Sequence, residues 1–320
     1  MIQVDQRQLG VSGVTVPPLG IGTWSWGDTS FWGYGQGYTR EDIMQAYQTC
    51  LDVGLNFFDT AEVYGRGESE RILGECMRHD GRPIIIASKF APIPTRFSAR
   101  NLLIALDNSL ERLGVSQIDL YQIHWPYTFL SVNALMDALA QSVRAGKIRA
   151  VGVSNYSADL MRKAHARLAR HDIPLASNQV HYSLLHRNPE SNGVLAACKE
   201  LNVALIAYSP LEQGLLTGKY RVSESQAVRL TGPRRFIPAF RTSQRRKMES
   251  LLQTMTIIAR SHEKTTAQVA LNWLLTKDEG IIPIPGAKNV RQARENAGAI
   301  GWQLTEEEQQ RISQAARLWL

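Results

Sequence analysis

The chain has 320 residues, 44% hydrophobic and 20% charged, which provides for a large core and excludes an extensively disordered protein. Its formal net charge of +7 suits anionic small molecules and nucleic acids alike. No stretch approaches the length of a membrane span and the N-terminus has no apolar signal core, so a soluble, cytoplasmic protein is expected.

The residues Arg7–Pro18 predict a short hairpin around Gly10 and Gly13. From there apolar, β-rich runs alternate with helical periods. Strands are predicted at 18–24, 55–60, 83–90, 118–125, 149–155, 176–182, 203–210 and 280–286. Helices are predicted at 40–54, 68–78, 99–114, 133–147, 157–171, 192–202, 265–277 and 289–300. Residues 221–264 form a long insertion before the seventh helix, helical over 243–264. A final helix is predicted at 304–318, with Thr305 and Glu308 in capping-box spacing.

Strict alternation of eight strands with helices implies a parallel sheet, and eight such units close naturally into a (β/α)8 TIM barrel. The expected architecture is one domain over 1–320, with an N-terminal hairpin cap and extra helices before helix 7 and at the C-terminus. An open doubly wound sheet usually carries G-x-G-x-x-G after its first strand. GIGTWSWG (20–27) has Ser25 at the third glycine position. GLLTGKY (214–220) has the wrong spacing for a phosphate-binding P-loop.

In such a barrel chemistry lies where strands meet the following loops. Asp59 and Tyr64 follow the second strand, Lys89 ends the third and His124 the fourth. Ser154 and Asn155 end the fifth, Asn178 and Gln179 lie on the sixth, and Tyr208 and Ser209 end the seventh. Singly, each has an ordinary explanation as a helix cap, a solvated strand end or a packed core residue. Together, acid, phenol, amine and imidazole on three consecutive strands make a proton-donating site. A neighbouring ammonium favours the phenolate, so Lys89 is expected to lower the pKa of Tyr64 from about 10. Asp59 would hold Lys89, and His124 would position a carbonyl oxygen.

These residues lie in FFDTAEVYG (57–65), IIIASKF (84–90) and LYQIHWP (120–126), where the chain resembles the aldo-keto reductases. The resemblance extends through GKIRAVGVSNY (146–156), AYSPLEQGLLTGKY (207–220) and IPGAKNVRQARENAGAI (284–300), nearly the full chain. It implies a (β/α)8 barrel that moves a hydride between a nicotinamide cofactor and a carbonyl carbon. Asp59, Tyr64, Lys89 and His124 would be its catalytic tetrad, with Tyr64 the general acid in reduction.

The same resemblance assigns Ser154, Asn155 and Gln179 to the nicotinamide carboxamide and Tyr208 to stacking on the ring. Ser209, Leu211 and Gly214 would line the pyrophosphate path. Lys288 and Gln292 would lie near an adenosine 2′-phosphate, and Glu295 and Asn296 would contact adenine, so NADPH (NADP+) is the expected cofactor. Some relatives carry a lysine directly after Ile-Pro, where this chain has Gly286; its basic group, Lys288, is displaced two positions.

The loop WSWGDTSFWGYGQGY (24–38) predicts an aromatic wall for the substrate pocket, built from Trp24, Trp26 and Trp32, with Trp125 opposite. That loop and GWQLT (301–305) are similar to pyridoxal reductases of the plant and cyanobacterial type. Pyridoxal or a broad range of aldehydes is the implied substrate class. The alternative is a cofactor-binding regulatory subunit resembling potassium-channel β subunits, which the short segment before the hairpin disfavours.

GPRRFIPAFRTSQRRK (232–247) carries six basic residues, no acidic ones and interleaved Phe236 and Phe240. That composition fits a phosphate track, a solvated loop or a loop near the cofactor; no nucleic acid partner is expected. Cys50, Cys76 and Cys198 are scattered and read as free thiols. The seven histidines show no clustered ligand spacing, and His181 and His186 are separated by an apolar stretch, so no metal is expected.

Overall fold

Each apolar run followed by a helical period becomes one βα unit. The computed structural model describes residues 5–222, 232–317 and 319. An antiparallel hairpin comes first, β1 (Arg7–Gln8) with β2 (Thr15–Val16). Eight parallel strands follow, hydrogen-bonded in chain order. They are β3 (Ile21–Gly22), β4 (Phe57–Asp59), β5 (Ile85–Phe90), β6 (Ile118–Ile123), β7 (Ile148–Ser154), β8 (Leu175–His181), β9 (Ala204–Tyr208) and β10 (Ile281–Ile284).

The helices between them are α1 (Arg40–Asp52), α2 (Glu68–Asp80), α3 (Ala99–Leu113), α4 (Val132–Arg144) and α5 (Ala158–Ala169). Next come α6 (Asn188–Ser191), α7 (Val194–Glu200), α8 (Thr242–Lys247), α9 (Glu249–Ser261), α10 (Thr266–Leu275), α11 (Val290–Ala297) and α12 (Glu306–Ala316). Thr305 and Glu308 form the expected reciprocal capping box on α12. None of the described helices is long and apolar enough to cross a membrane.

Closure of the barrel rests on glycines. Gly20 and Gly22 donate their backbone N–H groups to Pro283 and Pro285, each at 3.0 Å, joining the first barrel strand to the last. A Cβ on Gly22 would lie 3.0 Å from the Ile284 carbonyl oxygen, and one on Gly20 would lie 2.5 Å from the Phe57 ring. Only a residue without a side chain lets these backbones approach.

Two cores result. Inside the barrel, Phe57, Ala87, Leu120, Ala150, Ile206 and Ile282 pack with Leu9, Val14 and Val16, so the hairpin plugs the lower end. Arg7 fastens that plug by donating to the Leu275 carbonyl at 2.9 Å. The larger core lies between the strands and the surrounding helices. The three cysteines are free and buried.

Some expected elements are shortened or divided. The run at 18–24 is regular strand only over β3, and Pro18, which has no N–H to donate, cannot extend it toward the N-terminus. The helix predicted at 192–202 begins at Val194 because Gly193 takes a φ of 84° as its cap. The helix predicted at 243–264 is divided at the buried Met248 into α8 and α9. Part of the predicted insertion, 223–231, and the end of the helix predicted at 304–318 lie outside the described residues.

Candidate active site

Side chains two positions apart on a strand share a face. Phe57, Ala87 and Leu120 fill the inside of the barrel, so Asp59, Lys89 and Gln122 form the next layer above them. The pairing of Lys89 with Gln122 and of Gln122 with Gly152 sets their height. A Cβ on Gly152 would come within 2.8 Å of the Gln122 side chain, so this glycine makes room for the amide.

Asp59 and Lys89 are buried and joined at 2.5 Å between Oδ1 and Nζ. Asp59 Oδ2 accepts from Gln179 Nε2 at 2.7 Å and from Gln122 Nε2 at 3.3 Å. Lys89 Nζ also donates to the Thr60 carbonyl at 2.8 Å and to the Tyr64 hydroxyl at 3.3 Å. An ammonium has three protons and no acceptor. All three are engaged, so the Tyr64 oxygen accepts and its own proton is directed elsewhere. No acceptor among the described residues takes that proton, and Tyr64 lines the cavity.

Tyr64 reaches this point through an unusual turn. Gly65, Arg66 and Gly67 have φ of 55°, 58° and 88°. The φ of 88° at Gly67 favours glycine there, and a Cβ would also displace the Arg112 side chain, 2.8 Å away.

Burial raises the pKa of Tyr64 above its ordinary value, and the opposing charge of Lys89 does not cancel that effect. The expected lowering is therefore corrected: in this site desolvation outweighs the ammonium, and Tyr64 holds its proton. Burial works against the charge on Lys89, but Asp59 and Tyr64 overcome it and raise its pKa. His124 is pushed down to about 2, first by burial and then by the charge of Lys89, so it is a neutral imidazole. Its ring stacks on Trp125 at 3.9 Å and meets Tyr64 edge-on at 5.7 Å.

A cavity of about 710 Å³ opens above the tetrad. Trp24, Trp32 and Trp125 line it. Trp26 does not. It is fully buried and donates its indole N–H to the Ala287 carbonyl at 2.8 Å, which makes it a core residue beneath the rim. Residues 24–27 form a turn, and of its two tryptophans only Trp24 faces the cavity.

Ser154, Asn155, Gln179 and Tyr208 also line the cavity and are bonded to one another. Ser154 Oγ donates to the Gln179 carbonyl at 2.8 Å, and Asn155 Nδ2 donates to Ser154 Oγ at 3.1 Å and to the His124 carbonyl at 3.2 Å. Tyr208 donates to Asn155 Oδ1 at 3.1 Å. The loop after β9 continues the wall with Ser209, Leu211 and Gly214. It holds Ser209, Glu212, Gln213 and Gly214 at φ of 52°, 48°, 53° and 99°. Such strain persists only where the surroundings impose it and clusters at ligand sites.

Lys288, Gln292, Glu295 and Asn296 line the far end. The Lys288 Nζ lies 4.1 Å from the centre of the Tyr38 ring, and its backbone N–H donates to Gln292 Oε1 at 3.1 Å. Asn296 Nδ2 donates to the Gly286 carbonyl at 3.2 Å. Lys219, Arg234 and Arg291 line the same cavity, and the sequence reading did not assign them. Burial lowers the pKa of Lys219, and Arg234 and Arg291 lower it further. Arg234 comes from the basic run 232–247, donates to the Tyr220 hydroxyl at 2.8 Å and covers the Trp32 ring at 5.1 Å. Of the three readings of that run, Arg234 supports the loop near the cofactor, while Arg245 is bound to the Tyr220 carbonyl at 2.9 Å. Four cations converging on one end of a deep cavity fit the phosphates of a dinucleotide. A strained backbone loop and the flat Tyr208 ring fit its middle and its heterocycle. Among the described residues no group of histidine, cysteine and carboxylate side chains could hold a metal ion.

Residues 18–317 match the model of the aldo/keto reductase family. The chain is 39% identical to a chloroplastic pyridoxal reductase of Arabidopsis thaliana, over 95% of this chain and 84% of that protein. It is 34% identical to the aldo-keto reductase yakc of Schizosaccharomyces pombe, whose name specifies NADP(+), over 98% and 92% of the two chains. The crystal structure of an aldo-keto reductase from Klebsiella pneumoniae in complex with NADPH superposes with a TM-score of 0.76, at 27% identity and over 99% and 96% of the chains. With the barrel, the matched span and these relatives in agreement, the chain belongs to the aldo/keto reductase family of oxidoreductases.

Proposed function

We propose that this protein uses NADPH to reduce aldehydes and ketones to alcohols, with Tyr64 as general acid. The observation that carries the reading is the direction of protons around Lys89. The ammonium gives its three to Asp59, Thr60 and Tyr64, which leaves the Tyr64 proton for a carbonyl oxygen in the cavity.

When bound, the cofactor supplies a hydride to the carbonyl carbon. Tyr208 and the Ser154–Asn155–Gln179 wall would hold its nicotinamide end, and Lys219, Arg234, Lys288 and Arg291 its phosphates. Tyr64 transfers its proton to the oxygen as negative charge develops there. Lys89 then stabilises the phenolate through its existing hydrogen bond, and Asp59 keeps Lys89 charged. His124, uncharged, positions the carbonyl oxygen by a hydrogen bond without competing as an acid.

The walls formed by Trp24, Trp32 and Trp125 suit a flat aromatic aldehyde. Pyridoxal, the substrate named for the Arabidopsis relative, is one such molecule. The test is oxidation of NADPH, followed by absorbance, with a panel that includes pyridoxal and 4-nitrobenzaldehyde. Turnover by the native chain that is lost in Tyr64→Phe, with NADPH still bound, is expected. Tight NADPH binding with no turnover of any aldehyde would overturn the enzymatic reading in favour of a cofactor-binding regulatory role.

A further inference from the structure

His181 and His186, five positions apart in the sequence, are in contact. Their rings stack at 3.9 Å, and the other neighbour of His181 is Tyr208, parallel to within 14° at 5.3 Å. Tyr208 lines the cavity and neither histidine does, so His181 backs the face of Tyr208 turned away from it. The pairing of His181 with Tyr208 across β8 and β9 fixes this arrangement in the sheet.

His181 has a second partner. Its Nε2 lies 2.7 Å from Glu212 Oε1, and the same carboxylate oxygen accepts from the Ser183 hydroxyl. Ser183 Oγ is itself held by the backbone N–H groups of Leu185 and His186 at 3.1 and 3.0 Å. Glu212 belongs to the strained loop after β9. Ser209, Pro210, Leu211, Gln213 and Gly214 all line the cavity, and Glu212 alone in that stretch does not. It is the side chain by which the loop is fastened to the barrel from behind, at a non-glycine φ of 48°.

We infer that His181 and Glu212 are a positioning pair for the cofactor. His181 fixes the Tyr208 platform by stacking. Through Glu212 it also imposes the left-handed turn that presents the loop's backbone to the cavity. Neither residue touches the reacting atoms, so the pair governs cofactor affinity and not the transfer step. The inference rests on the dinucleotide reading of the cavity and adds residues to it that line no part of it. The physical reason for two functions in one side chain is geometric. The platform and the strained loop are both continuations of β9, and His181 is the residue on the neighbouring strand that reaches both.

The test compares native protein with Glu212→Ala, Glu212→Gln and His181→Phe, using NADPH as the probe. Direct binding is read by quenching of tryptophan fluorescence, and steady-state kinetics separate KM for NADPH from kcat. Loss of a charge-assisted hydrogen bond predicts a roughly tenfold rise in Kd and KM for NADPH in Glu212→Ala, with kcat at saturation within about twofold of native. Glu212→Gln keeps an oxygen for Ser183 and His181 and is expected to recover most of the affinity. His181→Phe keeps the stack but not the bond and should resemble Glu212→Ala. Variants that bind NADPH as the native protein does would overturn the inference alone, as would a fall in kcat at unchanged affinity. No NADPH binding by the native protein would overturn the functional reading and the inference with it. Thermal melting identifies any variant that fails to fold. In that case His181→Phe, which keeps an aromatic ring against Tyr208, decides.

Discussion

Lys89 Nζ donates to the Tyr64 hydroxyl across 3.3 Å while Asp59 holds the same ammonium at 2.5 Å. The relationship makes Tyr64 an acceptor toward Lys89 and a donor toward the cavity. Tyr64→Phe removes that donor and keeps the ring. Carbonyl reduction is expected to fall by roughly 10²–10⁴-fold, the usual contribution of a positioned acid, with NADPH affinity nearly unchanged. Because burial raises the Tyr64 pKa above its ordinary value, native reduction should stay level through neutral pH and decline only in the alkaline range as the phenol ionises. A decline centred near neutrality would contradict this assignment.

The Asp59–Lys89 pair is buried away from bulk solvent. Lys89→Met leaves a buried carboxylate with only the Gln122 and Gln179 amides as donors. Removing one partner of such a pair typically costs about 3–5 kcal/mol. The double change Asp59→Asn with Lys89→Met leaves no charge behind and is expected to recover much of that loss. Urea denaturation of the three proteins measures it; equal stability of the single and double variants would show that the buried charge is not the cause. Activity should be absent in both.

How much of this was legible beforehand follows from which interactions are local. The eight units could be read because a buried parallel strand and its covering helix each leave a period in the chain. Asp59, Lys89 and His124 could be read because each interrupts an apolar run. Trp26 could not be told from Trp24 by composition: a turn between them sends one into the core against Ala287 and the other to the rim. Gln122 escaped notice inside the run LYQIH, although an amide in the middle of a buried strand was the available signal. Arg234 and Glu212 lie in loops and His181 ends β8; each acts through contacts with residues distant in the chain, which leave no period to find. The Tyr64 pKa went the other way because charge proximity is visible in a motif and the depth of burial is not.

His124 provides an acid-side prediction. Its folded pKa of about 2 lies below the unfolded value, so between those values the unfolded chain binds a proton that the folded chain does not. Stability therefore rises with pH across this window and is lost as pH falls below about 6.5, at up to about 1.4 kcal/mol per pH unit. His124→Asn removes the titrating group, and its stability should change less steeply from pH 6 to pH 4. Chemical denaturation at each pH supplies the comparison. Parallel slopes would mean that other groups govern acid unfolding.

Lys288 joins cofactor choice to pH. Burial, aided by the charges of Arg234 and Lys219, lowers its pKa to about 8. Below that value it would present a cation to an adenosine 2′-phosphate of the proposed cofactor, and above it the amine is neutral. A bound phosphate favours the cation, so binding of NADPH should take up protons near pH 8, and affinity should fall as pH rises through that region. NADH lacks the 2′-phosphate and should show a shallower dependence. Lys288→Glu places an anion at the same point and is expected to weaken NADPH by at least about tenfold, with a much smaller effect on NADH. Lys288→Gln should remove most of the difference in pH dependence without adding repulsion. Titration calorimetry in buffers of different ionisation enthalpy reads affinity and proton uptake together. If Lys288→Glu weakened both cofactors equally, Lys288 would be acting on the shared pyrophosphate or on the cavity wall, and discrimination by the 2′-phosphate would have to come from Lys219, Arg234 or Arg291.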